Sequence, residues 1–203
     1  MPFEKLVLEG KSVRLEPLSM DHAEGLSNAV ADGQLWNLFY TLVPNVDGVD
    51  NYIRTALAQY EAHQGLAFAT IDIPSGNVIG STRFMKTDLP NKRVEIGATF
   101  LAKSFQRSVA NTEAKLLMLT HAFEVLDMNR VEFITDYLNT TSRNAILRLG
   151  AKQEGILRNH MVMPDGRVRD SVLFSIIKHE WPGVKQNLLF RLAQRVMAQS
   201  ALQ

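Results

Sequence analysis

Apolar and polar residues change period several times along the chain, and each change marks an element. Between Ser12 and Leu18, Val13, Leu15 and Pro17 alternate with Arg14, Glu16 and Leu18, the two-residue period of a short strand. Ser19 then offers a helix N-cap, a helix is expected from about Met20 to Asp32, and Gly33 is its stop signal. An aromatic segment, Trp36, Phe39 and Tyr40, runs up to Pro44. Beyond Asp47, Tyr52, Ile53, Ala56, Leu57 and Tyr60 recur at helical spacing and predict a second helix that ends near Gly65. The period then falls back to that of a strand. Leu66 to Ile73 and Val78 to Met85 are joined by the turn residues Pro74-Ser75-Gly76-Asn77, and Arg93 to Leu101, reached through Leu89-Pro90-Asn91-Lys92, completes an antiparallel meander.

A strong helical stripe follows from Thr112 to Leu126, with Leu116, Leu119, Phe123 and Leu126 on one side and Asn111 or Thr112 as its cap. Arg130 to Asp136 reads as a strand, and about Thr141 to Leu149 as a short helix closed by Gly150. Lys152 to Asn159 and Arg169 to Ile177 flank the hairpin signal Pro164-Asp165-Gly166. From Trp181 onward the tail is an amphipathic helix with Leu188, Leu189, Leu192 and Val196 on one side. This order predicts an α/β (α+β) fold, a mixed, mostly antiparallel central sheet with helices on both faces. No repeat, low-complexity tract or linker interrupts it, so residues 1–203 are expected to form one domain, with a core at about 11–180 and a C-terminal helix at about 183–200.

Composition narrows the chemistry. Twenty-two basic residues against 21 acidic ones leave a net charge of +1, which excludes the broad positive field of non-specific nucleic-acid binding. The absence of cysteine excludes disulfides, thiolate metal sites and a cysteine nucleophile. The N-terminus does not read as a signal peptide, and no run approaches the roughly 18 apolar residues of a membrane span, so a cytoplasmic protein without a membrane partner is expected. The histidines at 22, 63, 121, 160 and 179 have no ligand-like spacing, and no metal is expected. Walker, dinucleotide and nucleophile-elbow motifs are missing. What remains is the junction from Ser104 to Thr112, where a strand passes through a polar turn into a helix N-terminus beside Lys103 and Arg107. Unpaired N–H groups and the helix dipole favour an anion there, although an ordinary capped helix has the same pattern.

At that junction Val94-Glu95-Ile96-Gly97, followed by Gln106-Arg107-Ser108-Val109-Ala110-Asn111-Thr112-Glu113-Ala114, resembles the acetyl-CoA motif of the GNAT acetyltransferases. Downstream, Asp136, Asn139, Ser142, Leu149-Gly150, Glu154-Gly155-Ile156-Leu157-Arg158, Pro164-Asp165-Gly166, Arg169-Asp170 and Glu180-Trp181-Pro182 resemble the ribosomal-protein N-terminal acetyltransferase branch. The resemblance spans roughly Lys11 to Lys185. It implies the GNAT fold, acetyl-CoA as cosubstrate and transfer of its acetyl group to a primary amine, a protein N-terminus or a small molecule. Two departures stand out. Val109 and Asn111 occupy positions where the usual motif has glycine or alanine, and a β-branched residue does not readily take a positive φ. Ile146 replaces the tyrosine that many of these enzymes carry four residues before the glycine that closes the short helix.

The resemblance assigns cofactor contacts to Phe100, Leu101, Gln106, Arg107, Ser108, Val109, Ala110, Asn111, Thr112, Asn139 and Ser142. It implies direct attack in a ternary complex, with Glu95, Ser142 and Asn139 as the catalytic set. Strand alternation puts Glu95, Gly97, Thr99 and Leu101 on one face and Val94, Ile96, Ala98 and Phe100 on the other. Glu95 is the candidate base or amine-orienting group; its bland alternative is an exposed strand glutamate paired with Arg83 or Arg93. Ser142 is the candidate acid, or else a cap or first-turn residue. The N–H near Phe100 or Leu101 is the candidate oxyanion donor. Trp36, Phe39, Tyr40, Phe84 and His160 are candidates for the acceptor pocket, expected between the early helices and the last hairpin. Rival readings are a coenzyme A or acyl-CoA-binding module, motivated by Val109 and Ile146, a thioesterase, and an interaction protein whose tail helix packs on a second subunit as a homodimer.

Overall fold

Turn chemistry sets the strand ends. After strand β3 (Gly65–Asp72) the Asp72 carboxylate accepts hydrogen bonds from the Ser75 N–H at 3.1 Å and its hydroxyl at 2.6 Å, which reverses the chain into β4 (Val78–Asp88). The Asp88 side chain holds Asn91 in the same way before β5 (Arg93–Leu101). These strands form the predicted meander. The other strands are β1 (Leu8–Glu9), β2 (Val13–Pro17), β6 (Arg130–Asp136), β7 (Lys152–Val162) and β8 (Val168–Ile177). The helices are α1 (Ala23–Ala31), α2 (Val49–Glu61), α3 (Ala110–Thr120), α4 (Thr140–Leu149) and α5 (Trp181–Ser200).

In this computed structural model, which describes residues 4–200 and the side chains up to residue 195, the strands form one eight-stranded sheet in the order β1-β2-β3-β4-β5-β6-β8-β7. Every neighbouring pair is antiparallel except β5 and β6. Strand β1 is the one element the hydrophobic pattern did not predict, two residues being too few to show a period. A core on one face joins α3, α4 and α5 to Val94, Ile96, Val131 and Phe174. The core on the other face joins α1 and α2 to Ala67, Ala69, Ile71 and Phe100. No helix among the described residues is long and apolar enough to cross a membrane.

Three expectations shift. Helix α3 begins at Ala110, so Asn111 and Thr112 lie inside its first turn and Ser108, whose hydroxyl accepts from the Ala110 N–H at 3.1 Å, takes the capping part. The helix passes into a π turn at His121–Val125, which rotates the stripe so that Met118, Leu119, Ala122 and Phe123 are buried while Leu116 is only half-buried. On α5, Leu188 is fully buried but Leu189 is 50% exposed. Val196 lies outside the residues whose side chains are described.

Two buried ionisable groups fix α3. The Glu113 carboxylate, in the first turn where the helix dipole favours it, accepts hydrogen bonds from the main-chain N–H groups of Lys11 at 2.9 Å, Ser12 at 2.7 Å and Val13 at 2.9 Å. It thereby clamps the β1–β2 turn onto the helix. Lys115 points into the sheet and donates to the hydroxyls of Thr82 and Thr99, both at 2.7 Å. Among the described residues no carboxylate neutralises it, and burial pushes its pKa down to about 7.

Each group predicts a stability change. Glu113→Ala strands three N–H groups and should cost about 3 kcal/mol in urea denaturation; a loss under about 1 kcal/mol would show that water replaces the carboxylate. For Lys115 the unfolded chain keeps the ordinary value of 10.5, so from pH 7 upward the unfolded state holds the extra proton. Stability therefore rises with pH across that window by up to about 1.4 kcal/mol per unit, whereas below it both states are protonated and the burial cost is present in full. Lys115→Met should be more stable than the parent at about pH 6 and lose that advantage by about pH 10. An advantage independent of pH would rule out the lysine as its source.

Candidate active site

Strands β5 and β6 pair in parallel only at Arg93 with Arg130, Val94 with Val131 and Glu95 with Glu132. From Ile96 and Phe133 onward they part, while each keeps its antiparallel neighbour on the other side. A wedge opens between them, and the two strands run on toward the N-termini of α3 and α4 at its mouth. Main-chain groups on the walls of such a wedge have no ladder partner and are free for a ligand.

A bulge shapes the β5 wall. Its pairing with β4 jumps from Arg83 opposite Gly97 to Ser81 opposite Phe100, so that Ala98, at φ 46°, and Thr99 both stand against Thr82. The extra residue inverts the expected alternation beyond it. Phe100 joins Glu95 on the α1/α2 face, and Thr99 and Leu101 join Val94 and Ile96 on the α3 face. From α2, the Tyr52 hydroxyl donates to Ser81 Oγ at 3.1 Å and reaches the Ala98 carbonyl at 3.5 Å, and its ring meets Phe100 edge-on at 5.8 Å.

The turn into α3 resolves the missing glycines. Val109 has φ −72° and ψ −20°, ordinary helical values, and Asn111 is inside the helix. The left-handed position is Arg107, at φ 63°, whose side chain is exposed. Gln106 anchors the turn by donating to the Leu101 carbonyl at 3.0 Å, and the Ser108 hydroxyl donates to the Phe105 carbonyl at 2.7 Å. The first-turn N–H groups of Asn111 and Thr112 have no helical acceptor. Beside them a cavity of about 410 Å³ is lined by Arg107, Ser108, Asn111 and Thr112, by Ala145, Arg148 and Leu149 of α4, and by α5. Free N–H groups and guanidinium side chains without a carboxylate among the lining residues suit a polyphosphate such as that of coenzyme A.

Glu95 stands at the last rung before the wedge. It is buried, not exposed, and its partner is Lys86 at 2.8 Å, not Arg83 or Arg93. Arg83 instead donates to Gln59 at 2.8 Å and lies over the Tyr52 ring, and Arg93 pairs with Asp88. Gly97 leaves room beside Glu95: a Cβ there would come within 3.0 Å of Glu95 Oε1 and 2.8 Å of Met85 Sδ and would push these side-chain ends aside. Across the wedge, Arg167 reaches the buried Asp136 at 2.5 Å and stacks on Phe39 at 5.3 Å. Arg169 Nε, 3.9 Å from Asp136, donates to Ser171 Oγ at 2.9 Å, which meets His160 Nδ1 at 3.0 Å. Burial holds the Arg169 pKa below the usual arginine value and Arg167 pushes the same way, against the opposing pull of Asp136 and Glu95.

The remaining candidates divide. Phe39, 54% exposed, Tyr40, edge-on to it at 5.0 Å, and His160 belong to or adjoin this polar chain, and Trp36 packs on the α1/α2 core. Phe84 does not belong: it is 1% exposed, packed between Phe68 and His121 in the α3-side core, because β4 turns that residue away from α2. Asn139 caps α4 by accepting from the Ser142 N–H at 2.9 Å, so Ser142 is a first-turn residue and not the cap. Ile146, where a tyrosine is common, is buried in the core. The sequence reading missed Tyr52, hidden in an ordinary helical stripe, and Arg167, whose only signal was its place beside Pro164-Asp165-Gly166; Arg169 was named within the Arg169-Asp170 motif but given no role.

Residues 12–152 match the profile of the "Acetyltransferase (GNAT) domain". The chain is 29% identical over 187 residues, 88% of its length and 97% of the relative's, to the "Putative ribosomal N-acetyltransferase YdaF" of Bacillus subtilis. Its fold superposes on a GCN5-related N-acetyltransferase from Brucella melitensis with a TM-score of 0.84 at 34% identity, covering 95% of this chain and 87% of that one. Mycobacterium smegmatis RimJ, solved with CoA-disulfide, shares the fold with a TM-score of 0.75 at 24% identity, covering 93% and 92%. The wedge between two parting parallel strands, the helix N-terminus at its mouth and the profile match over most of the chain lead to one conclusion: this protein is an N-acetyltransferase of the GNAT family.

Proposed function

We propose that the protein transfers the acetyl group of acetyl-CoA to a primary amine by direct attack in a ternary complex, within one domain. The observation that carries this reading is the buried Glu95 carboxylate at the apex of the β5–β6 wedge, whose β5 wall leads by a short turn into a helix N-terminus suited to phosphate. Acetyl-CoA supplies an activated acyl group as a thioester. The Gln106 to Thr112 turn and α4 hold its phosphates, and the chain's own side chains manage the protons.

Glu95 takes a proton from the acceptor's ammonium, directly or through one water, and so frees the neutral amine to attack the thioester carbonyl. Lys86, paired with the carboxylate at 2.8 Å, holds it in place. The N–H of Leu101, on the wall from which β6 has withdrawn, donates to the acyl oxygen as it gains charge, whereas the main chain of Phe100 faces β4. Ser142, in the first turn of α4 with its N–H committed to Asn139, has its hydroxyl available to protonate the departing sulfur. Asn139 acts by fixing that turn. The acceptor lies between the Trp36 to Tyr40 segment and the β7–β8 hairpin, where Phe39, Arg167 and His160 meet the polar chain. Relatives described as ribosomal acetyltransferases make a ribosomal-protein N-terminus the first acceptor to try.

The test follows free thiol released from acetyl-CoA across a panel of N-terminal peptides and small amines. Release that requires an amine supports the transferase; release without amine indicates a thioesterase, and binding without release indicates the binding module. Within an active pair, Glu95→Gln should lower kcat at least about tenfold with cofactor affinity nearly unchanged, and unchanged kcat would remove the base role. Ser142→Ala should slow single-turnover thiol release by about tenfold or more. If the variant alters only the melting temperature, the serine serves the helix and not the leaving group.

A further inference from the structure

The cavity beside α3 has a second wall that the family motif does not contain. Helix α5 contributes Asn187, Phe190, Arg191, Leu192, Gln194 and Arg195 to it, facing Arg107 and Arg148. Four guanidinium groups thus converge on one space of about 410 Å³ whose lining includes no carboxylate. Among the described residues none of the four forms an ion pair, whereas Arg14, Arg93, Arg130, Arg158 and Arg167 each pair with a carboxylate. Like charges gathered without counter-charge repel one another, and an anion in the cavity relieves that repulsion. Arg195 donates to the Arg107 carbonyl, which ties α5 to the phosphate turn, and Asn187 accepts from Arg191 Nε at 3.2 Å. Phe190 lines the same cavity and is 62% exposed, an uncovered ring face next to the charges.

An exposed aromatic ring next to guanidinium groups fits a phosphorylated nucleoside. We propose that α5 forms the subsite for the adenosine 3′-phosphate end of coenzyme A, with Phe190 against the adenine and Arg148, Arg191 and Arg195 around the 3′-phosphate, while the turn at Arg107 to Thr112 takes the pyrophosphate. The helix then makes the protein select coenzyme A over its 3′-dephospho form. This rests on acetyl-CoA being the donor, and the test separates the two claims.

The full chain is titrated by calorimetry with acetyl-CoA, acetyl-3′-dephospho-CoA and adenosine 3′,5′-bisphosphate. We expect the dephospho ligand to bind about 30-fold more weakly, and the bisphosphate to bind measurably and compete with acetyl-CoA. The Arg191→Gln/Arg195→Gln variant should reduce that preference to less than about threefold by weakening acetyl-CoA alone. Equal affinity of the unaltered protein for both thioesters overturns the 3′-phosphate subsite and leaves the donor assignment standing. A folded double variant that keeps the preference also overturns it. Failure of both thioesters to bind overturns the subsite and the donor reading together. The comparison of ligands on the unaltered protein stands even if the double variant does not fold.

Discussion

Three rungs of parallel ladder hold two halves of the sheet together, and the rest of the site depends on the ladder stopping there. Beyond Glu95 and Glu132 each strand still has an antiparallel partner on its outer side, so neither unravels when the two separate. Their inner main-chain groups are left without partners in a gap walled by packed strands. Buried peptide groups in that condition require water or a ligand. The bulge at Ala98 adds to this by bending the β5 wall and turning Phe100 toward Tyr52, while Thr99 is drawn back to Lys115.

Helix α3 links this gap to the rest of the molecule. Its first turn faces the cavity of about 410 Å³, its Glu113 grips the β1–β2 turn, and its Lys115 is held at the bulge, so one rigid element ties the cavity to the β5 wall of the wedge. A buried ammonium with only hydroxyl partners is costly. Its partners Thr82 and Thr99 lie at the bulge itself, so the cost is incurred where the β5 wall of the wedge is shaped.

Most of the architecture was legible in the chain. Turn residues such as Pro74-Ser75-Gly76-Asn77 and Pro164-Asp165-Gly166, and Gly150 at φ 103° as a helix stop, act locally and mark element ends directly. The GNAT resemblance rested on spacing that the fold preserves. What eluded the reading was set by tertiary geometry. Nothing in Val94 to Leu101 announces an extra residue, yet that residue reverses the faces of Thr99, Phe100 and Leu101. Phe84 looks like any aromatic near a site until β4 turns it into the core. The strain expected at Val109 vanished because the positive φ moved two residues upstream to Arg107. The arginines of α5 are spread through an ordinary amphipathic tail, and only packing against α3 and α4 gathers them.

The seam also divides the chain into two stretches of sequence. Strands β1 to β5 follow one another in the sheet as they do in sequence, with α1 and α2 inserted between β2 and β3. Strand β8 is flanked by β6 and β7, and that half is likewise built from one continuous stretch. The short ladder between β5 and β6, closed over α3, is where the two stretches pair strand to strand. Each half finds its other strand partners within its own stretch of chain. The cleft belongs to neither stretch and exists only where the two are joined, so a change that loosens the seam would remove the site while leaving each half its own strand pairs.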